Sequence, residues 1–214
     1  MEEFYTWIEE CPSQPLYDEN GELAVDSFDG CKCNQGIWRS LEVGIRMYRT
    51  WPNVIHHLLD SGYIDEKFLK TYLLSGYRHC EILYKVTPIL WPNADHNHYL
   101  MENNGLLYFA CMFPEIREAE AWKAHAIREM ERSIRAQVTT DGGQIEGCAS
   151  YHNGAAYWFV LPMLLARKYG FTLSEGYGER LKKMARYATY ATRPCGGNSC
   201  WGDSHTISST LTAG

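Results

Sequence analysis

The sequence predicts an all-α chain of antiparallel helical hairpins closing toward a double ring. Three observations carry that prediction. Apolar side chains recur at three- and four-residue intervals over most of the length. The helical stretches alternate between strongly apolar and amphipathic ones, joined by short Gly or Pro turns. No strand-rich block competes with them. Apolar helices then form an inner wall and amphipathic helices an outer one, whereas a plain solenoid requires a clearer sequence repeat than this chain carries.

Residues 1–35 are read as an irregular N-terminal segment. Over 36–60, Ile37, Leu41, Ile45 and Tyr48, then Val54, Ile55 and Leu58, keep helical spacing, and Trp51-Pro52 is expected to break the run into two helices. The pattern repeats over 65–86 through Phe68, Tyr72, Leu73, Tyr77 and Leu83. A further helix is expected over 98–113, stopped by Pro114, and a charged amphipathic one over 115–138. Asp141-Gly142-Gly143 reads as a turn. An apolar helix over 154–169, kinked at Pro162, and an amphipathic one over 174–192 complete the set.

With 214 residues and no Ser/Gly- or Pro-rich linker, the chain reads as a single domain over 1–214. A net charge of −6 without a dense Lys/Arg run argues against nucleic acid as a partner. It does not exclude an acidic ligand, because Arg39 and Arg46, read as two turns apart on one helical face, can make a cleft locally positive. The longest apolar stretch, 155–166, is too short to span a bilayer and runs into Arg167-Lys168, so no membrane partner is expected. The start, Met-Glu-Glu-Phe-Tyr, lacks the basic and apolar regions of a secretory leader, which points either to the cytoplasm or to a leader outside this chain.

Of the eight cysteines, Cys80, Cys111 and Cys148 read as small buried thiols. Cys31-x-Cys33 and Cys195-x4-Cys200 lack the matching second pair of a zinc site. No metal and no cofactor are expected.

The chemistry concentrates at two helix entrances. The first reads Asp95-His96-Asn97-His98 and continues to Asn104; positions 97, 101, 104 and 108 share a helical face, which places Asn97, Asn104 and Tyr108 as a polar stripe. The second reads Glu146-Gly-Cys-Ala-Ser-Tyr151-His152-Asn153 and is expected just ahead of its apolar helix. Taken singly, Asn97 is a helix cap and Tyr151 a core aromatic with its hydroxyl tied off. Together, amides, imidazoles and a phenol on neighbouring helices can neutralise a carboxylate and move a proton.

These residues resemble the heparinase II/III-like and alginate lyases, polysaccharide lyases with an α/α toroid. The resemblance rests on Asn97-His98, on Gly105-Leu106-Leu107 through Met112-Phe113-Pro114-Glu115, on Trp122, on Gln137 with Asp141-Gly142, and on Glu146 through Tyr151-His152-Asn153. The separation 151 − 97 = 54 residues suits one intervening helical hairpin. Gly202-Asp203-Ser204 is similar to a further family turn. The resemblance implies an incomplete (α/α) toroid, with the C-terminal β-sandwich of multidomain members absent from this chain, and an acidic polysaccharide or oligosaccharide as substrate.

It further implies β-elimination at a uronate. The C5 proton is only weakly acidic beside a carboxylate that already carries charge, so that carboxylate must be neutralised, and Asn97 can do so through a hydrogen bond that strengthens as charge develops. Tyr151 can act as base toward C5 and then as acid toward O4, given a neighbour that lowers the ordinary phenol pKa; His98 is the alternative base for the opposite stereochemistry. Asn104, His152, Glu146, Gln144, Arg39, Arg46 and Trp38 are the expected substrate-binding residues. The single-domain alginate lyases carry an Arg shortly before the Tyr, whereas this chain has Gly142-Gly143-Gln144-Ile145-Glu146; Gln144 is one candidate for the second donor. Glu146 reads either as a protonated partner of the substrate carboxylate or as a structural acid that orients a neighbour.

Two rivals stand beside the lyase reading. An α/α-barrel glycoside hydrolase would place two carboxylates across the scissile bond, from Asp141, Glu146 and Asp203. A non-catalytic glycan-binding domain would present Trp38, Trp91, Trp122, Trp158 and Trp201 as sugar platforms.

Overall fold

A computed structural model describes residues 2–30, 36–194, 196–200 and 202–204. Cys31, Cys33, Cys195, Trp201 and His205 lie outside the described residues. The described residues are helical, with three isolated antiparallel bridges, in accord with the all-α class. They divide into two compact units, one comprising Met1–Pro92 and Met101–Ala126, the other Asn93–Leu100 and Ile127–Gly214.

The first unit opens with α1 (Glu2–Glu10), where an irregular segment was expected. Its reason lies in aromatic packing. Phe4 sits 5.2 Å from the rings of both Trp51 and Phe68, and Trp7 lies 6.1 Å from Trp38, so one face of a nine-residue helix is held by tertiary contact rather than by propensity. Next come α2 (Ser40–Ile45), a π-helical turn (Arg46–Thr50) and α3 (Trp51–Leu58). The expected break at Trp51-Pro52 is this π turn. Pro52 falls in the first turn of α3, where a missing N–H costs little.

Helix α4 (Glu66–Lys85) is capped by Asp65, whose carboxylate accepts from the Phe68 N–H at 2.7 Å, and the short α5 (Thr87–Leu90) follows it. Two helices, α6 (Asn97–Met112) and α7 (Ala119–Gln137), each run through both units. Within the first unit, α2 and α6 touch backbone to backbone at Gly44 and Gly105. A Cβ on Gly44 would lie 2.7 Å from the Glu102 Cα, and one on Gly105 2.6 Å from the Gly44 oxygen. Beside this crossing the Glu102 carboxylate is fully buried and accepts from the Ser40 hydroxyl at 2.6 Å.

The second unit is built on α8 (Ala149–Tyr169) and α9 (Glu175–Ala191) with the C-terminal part of α7. Its core joins Leu100, Met130, Ile134, Ala155, Phe159 and Met184. Helix α8 starts five residues earlier than the apolar period suggests, so Tyr151, His152 and Asn153 stand in its first turns rather than ahead of it. Pro162 lies inside α8, which runs on to Gly170, whose φ of 75° closes the helix as only glycine readily does. Ser174 caps α9 by accepting from the Tyr177 N–H at 3.1 Å, and is itself anchored to the Glu131 carboxylate through its N–H at 2.7 Å and its hydroxyl at 2.8 Å.

Candidate functional site

All the residues described in this and the next two paragraphs belong to the second unit. The segment ahead of α6 contains Ala94, fully buried at φ 57°, a left-handed conformation that costs an alanine about 1–2 kcal/mol. It is held there by Gln137, the last residue of α7, whose buried amide donates to the carbonyls of Ala94 at 2.9 Å and His96 at 3.0 Å. The carbonyl of Gln137 in turn accepts from the Ile145 N–H at 3.0 Å. Val138 pairs with Gln144 across the turn, and Gly142, at φ 99°, lets that turn approach α9: a Cβ there would lie 2.4 Å from the Lys183 backbone. One glutamine thus fixes both the entrance of α6 and the loop that carries Gln144 and Glu146.

The two segments meet in a single cluster. The Asn97 amide, buried at the first residue of α6, donates to both oxygens of the Glu146 carboxylate, at 2.8 and 2.7 Å. Gln144 donates to the same carboxylate at 3.1 Å while its own carbonyl accepts from the Glu146 N–H at 2.8 Å. Glu146 also lines a cavity of about 450 Å³ with Gly147, Cys148, Tyr151, Gly202 and Asp203. Tyr151 borders a second cavity, of about 640 Å³, with Trp158 and Ser204, and the 202–204 turn is pinned to α8 where the Ser204 hydroxyl accepts from the Ser150 N–H at 3.1 Å. A carboxylate and a phenol therefore line one concavity, and the buried Asn97 amide stands behind it, bonded to that carboxylate. Asp203, read from sequence as part of a turn, is a member of its wall. His98 is half-buried at the start of α6, where its N–H donates to His96 Nδ1 at 3.2 Å.

His152 occupies a different place from the one expected. It is buried, its Nε2 donates to the Met184 carbonyl at 3.0 Å and its ring lies 4.8 Å from that of Tyr187; burial lowers its pKa. It borders an adjoining cavity of about 710 Å³ with Gln144, Arg186 and Tyr187, which shares Gly147 and Cys148 with the smaller one but is not lined by Tyr151. The larger volume has less claim to the chemistry than the smaller, because neither Tyr151 nor the Glu146 carboxylate that Asn97 grips lines it. Asp141 serves the turn: the Thr139 hydroxyl at 2.5 Å and the Gly143 N–H at 3.3 Å hold its carboxyl below the ordinary carboxylate range. That is not the environment of a glycosidase acid.

The remaining expected residues, Trp38, Arg39, Arg46 and Asn104, lie in the first unit. Arg39 stands outside the helix as the N-cap of α2, so the two arginines do not share a helical face; its guanidinium pairs with Glu42 at 3.0 Å. Arg46 is enclosed by aromatic rings, its guanidinium 5.0 Å from Trp7 and 5.2 Å from Trp38, and its Nε–H donates to His79 Nε2 at 3.1 Å. His79 must be neutral to accept it. Its Nδ1–H donates to the Ser75 carbonyl at 2.7 Å, and burial followed by the Arg46 charge brings its pKa down to about 3. Trp38 is buried with its indole N–H donated to the Cys11 carbonyl at 3.1 Å, and Trp122 is buried as well, so both belong to packing rather than to exposed sugar platforms. Asn104 is fully buried.

Comparison with known proteins agrees with this architecture. The heparinase II/III N-terminus family matches residues 1–213. A heparin-sulfate lyase of Bacteroides stercoris is 28% identical over 205 residues, covering 94% of this chain and 30% of that protein. A solved heparinase III gene product superposes with a TM-score of 0.69 at 25% identity, over 97% of this chain and 32% of that one, and another heparinase III structure with 0.72 at 21%, over 91% and 27%. The chain thus spans about a third of the length of these relatives. It belongs to the heparinase II/III N-terminal family.

Proposed function

We propose that this chain forms the helical part of a polysaccharide lyase acting on a uronate-containing glycosaminoglycan of the heparan sulfate type. The single observation that carries the reading is the cluster in which the Asn97 amide grips a carboxylate at the wall of the cavity lined by Tyr151. That bond to Glu146 supports reading Asn97 as a donor to carboxylates, and the name of the curated relative supports the substrate class. The alginate-type substrate that the sequence also suggested has no counterpart among these relatives.

In the proposed reaction Asn97 donates to the uronate carboxylate as negative charge builds on it, which lowers the barrier to removing the C5 proton. Tyr151, as tyrosinate, takes that proton, the C4=C5 bond forms as the C4–O4 bond breaks, and the phenol so formed returns the same proton to the departing O4. His98 is the base when the C5 hydrogen faces the other side of the ring. No step calls for a metal or a cofactor.

The test is the ultraviolet absorbance of the conjugated unsaturated uronate, followed in the full-length protein over a panel of uronate polymers. A hydrolase would release reducing ends without that absorbance, and a binding domain would do neither. Asn97→Ala is expected to lower kcat by about 10²-fold or more, the usual cost of one transition-state donor. Tyr151→Phe is expected to abolish turnover while leaving binding in place. Unchanged turnover in either variant removes that residue from the mechanism.

A further inference from the structure

A side-chain amide is nearly symmetric in shape and opposite in chemistry at its two ends. If the carbonyl end of Asn97 faced the uronate, it would repel the carboxylate that the reaction needs neutralised. Something must therefore choose the end. Glu146 is suited to it, because an ionised carboxylate only accepts, and both of its oxygens lie on the Nδ2 side of Asn97, at 2.8 and 2.7 Å. The two oxygens of one carboxylate approach the nitrogen from one direction, so a single N–H shared between them satisfies the contact. The second N–H of the same nitrogen points elsewhere and is left for another acceptor.

Gln144 extends the same logic one residue further. Its carbonyl is committed to the Glu146 backbone N–H at 2.8 Å, which forces its own N–H end onto the Glu146 carboxylate at 3.1 Å. The orientation of Glu146 is thus fixed from its own main chain, and Gln144 spends a donor on Glu146 that the sequence had assigned to the substrate. Glu146 is solvent-exposed while Asn97 is buried, so the acid keeps much of its hydration and its charge is screened, whereas the amide it holds is not free to rotate.

We infer that Glu146 is a positioning residue that sets which end of Asn97 meets the uronate carboxylate, with Gln144 holding Glu146 in turn. The inference rests on the reading of Asn97 as the neutraliser. It gives the acid a role in the rate without contact with the reacting atoms.

The experiment is a double-mutant cycle on kcat and KM in the full-length protein, with a heparan-type polymer and the absorbance readout, using Asn97→Ala, Glu146→Ala, their combination, and Glu146→Gln. Expected is a kcat at least about ten-fold lower for Glu146→Ala with a smaller rise in KM, since the bond from Asn97 strengthens as charge builds toward the transition state. The double variant should be no slower than Asn97→Ala alone. Partial recovery is expected in Glu146→Gln, whose carbonyl can still accept from Asn97, and this variant also controls for any loss of folding on truncation. If Asn97→Ala keeps its rate, the proposed function fails. If Asn97→Ala is slow but Glu146→Ala is as fast as the parent, or the two losses multiply, only the positioning role fails. A Glu146→Ala enzyme with raised kcat/KM overturns it as well, since Glu146 would then be an internal carboxylate competing with the substrate.

Discussion

Replacement of Glu102 by Gln should change how stability depends on pH, by an amount that follows from its surroundings. Glu102 is fully buried on α6, and burial pushes its carboxyl up to about 7 from 4.5, against the smaller downward pulls of the Ser40 hydroxyl, the Trp91 indole and the Arg39 charge. Above pH 4.5 the unfolded chain gives up this proton, while the folded chain keeps it until near pH 7. The folded state therefore binds more protons over that window, and stability falls as pH rises through it. At about 1.4 kcal/mol per unit, the shift is equivalent to roughly 3 kcal/mol lost by pH 8 relative to pH 4. Gln carries no charge at any pH and can still accept from Ser40, so Glu102→Gln should remove this slope and leave at most a constant offset. The assay is urea unfolding of both proteins at half-unit steps from pH 4.5 to 8, read as the difference between them. That subtraction cancels the opposite trend of His79 and His152, whose lowered pKa values cost stability as pH falls below 6.5. A difference that stays flat across the series would show that Glu102 ionises normally in the fold.

Other substitutions test the packing. Gly44→Ala should destabilise by about 1–3 kcal/mol despite the better helix propensity of alanine, because the new methyl group meets Glu102 main chain rather than a movable side chain; thermal unfolding reads it. Asp65→Ala removes the cap on the Phe68 N–H and should cost about 1 kcal/mol, seen as earlier hydrogen exchange in the first turn of α4. Phe159→Ala should cost about 3–5 kcal/mol in urea unfolding, since the ring is fully buried in the core of the second unit.

The helical pairs were legible because their apolar faces repeat locally, and the caps at Asp65 and Ser174 mark boundaries by their own chemistry. Helix α1 was not legible, because Phe4 and Trp7 acquire their meaning only from Trp51, Phe68 and Trp38, far along the chain. The start of α8 was missed because Cys148 stands at its N-cap without a side-chain cap bond, while Ser150, His152 and Asn153 read as loop. At the site, sequence supplied Asn97, Glu146 and Tyr151 as types in order, and the family pattern bound them together. It did not reveal that Glu146 meets Asn97, because a contact over 49 residues leaves no periodicity. The arginine pair was misread for a related reason: a seven-residue spacing implies a shared face only within one continuous helix, and Arg39 lies outside it.

Gln137 grips the α6 entrance with its side chain and the Glu146 loop with its backbone, through bonds to Ala94, His96 and Ile145 rather than to Asn97 or Glu146. The alignment of the amide with the acid is consequently governed from behind, by a joint several bonds away from either. Removing that joint in Gln137→Ala should therefore silence the chemistry at a temperature where helical circular dichroism is still intact. Catalytic failure and melting would then appear as two separate thermal events, the first of them a matter of aim.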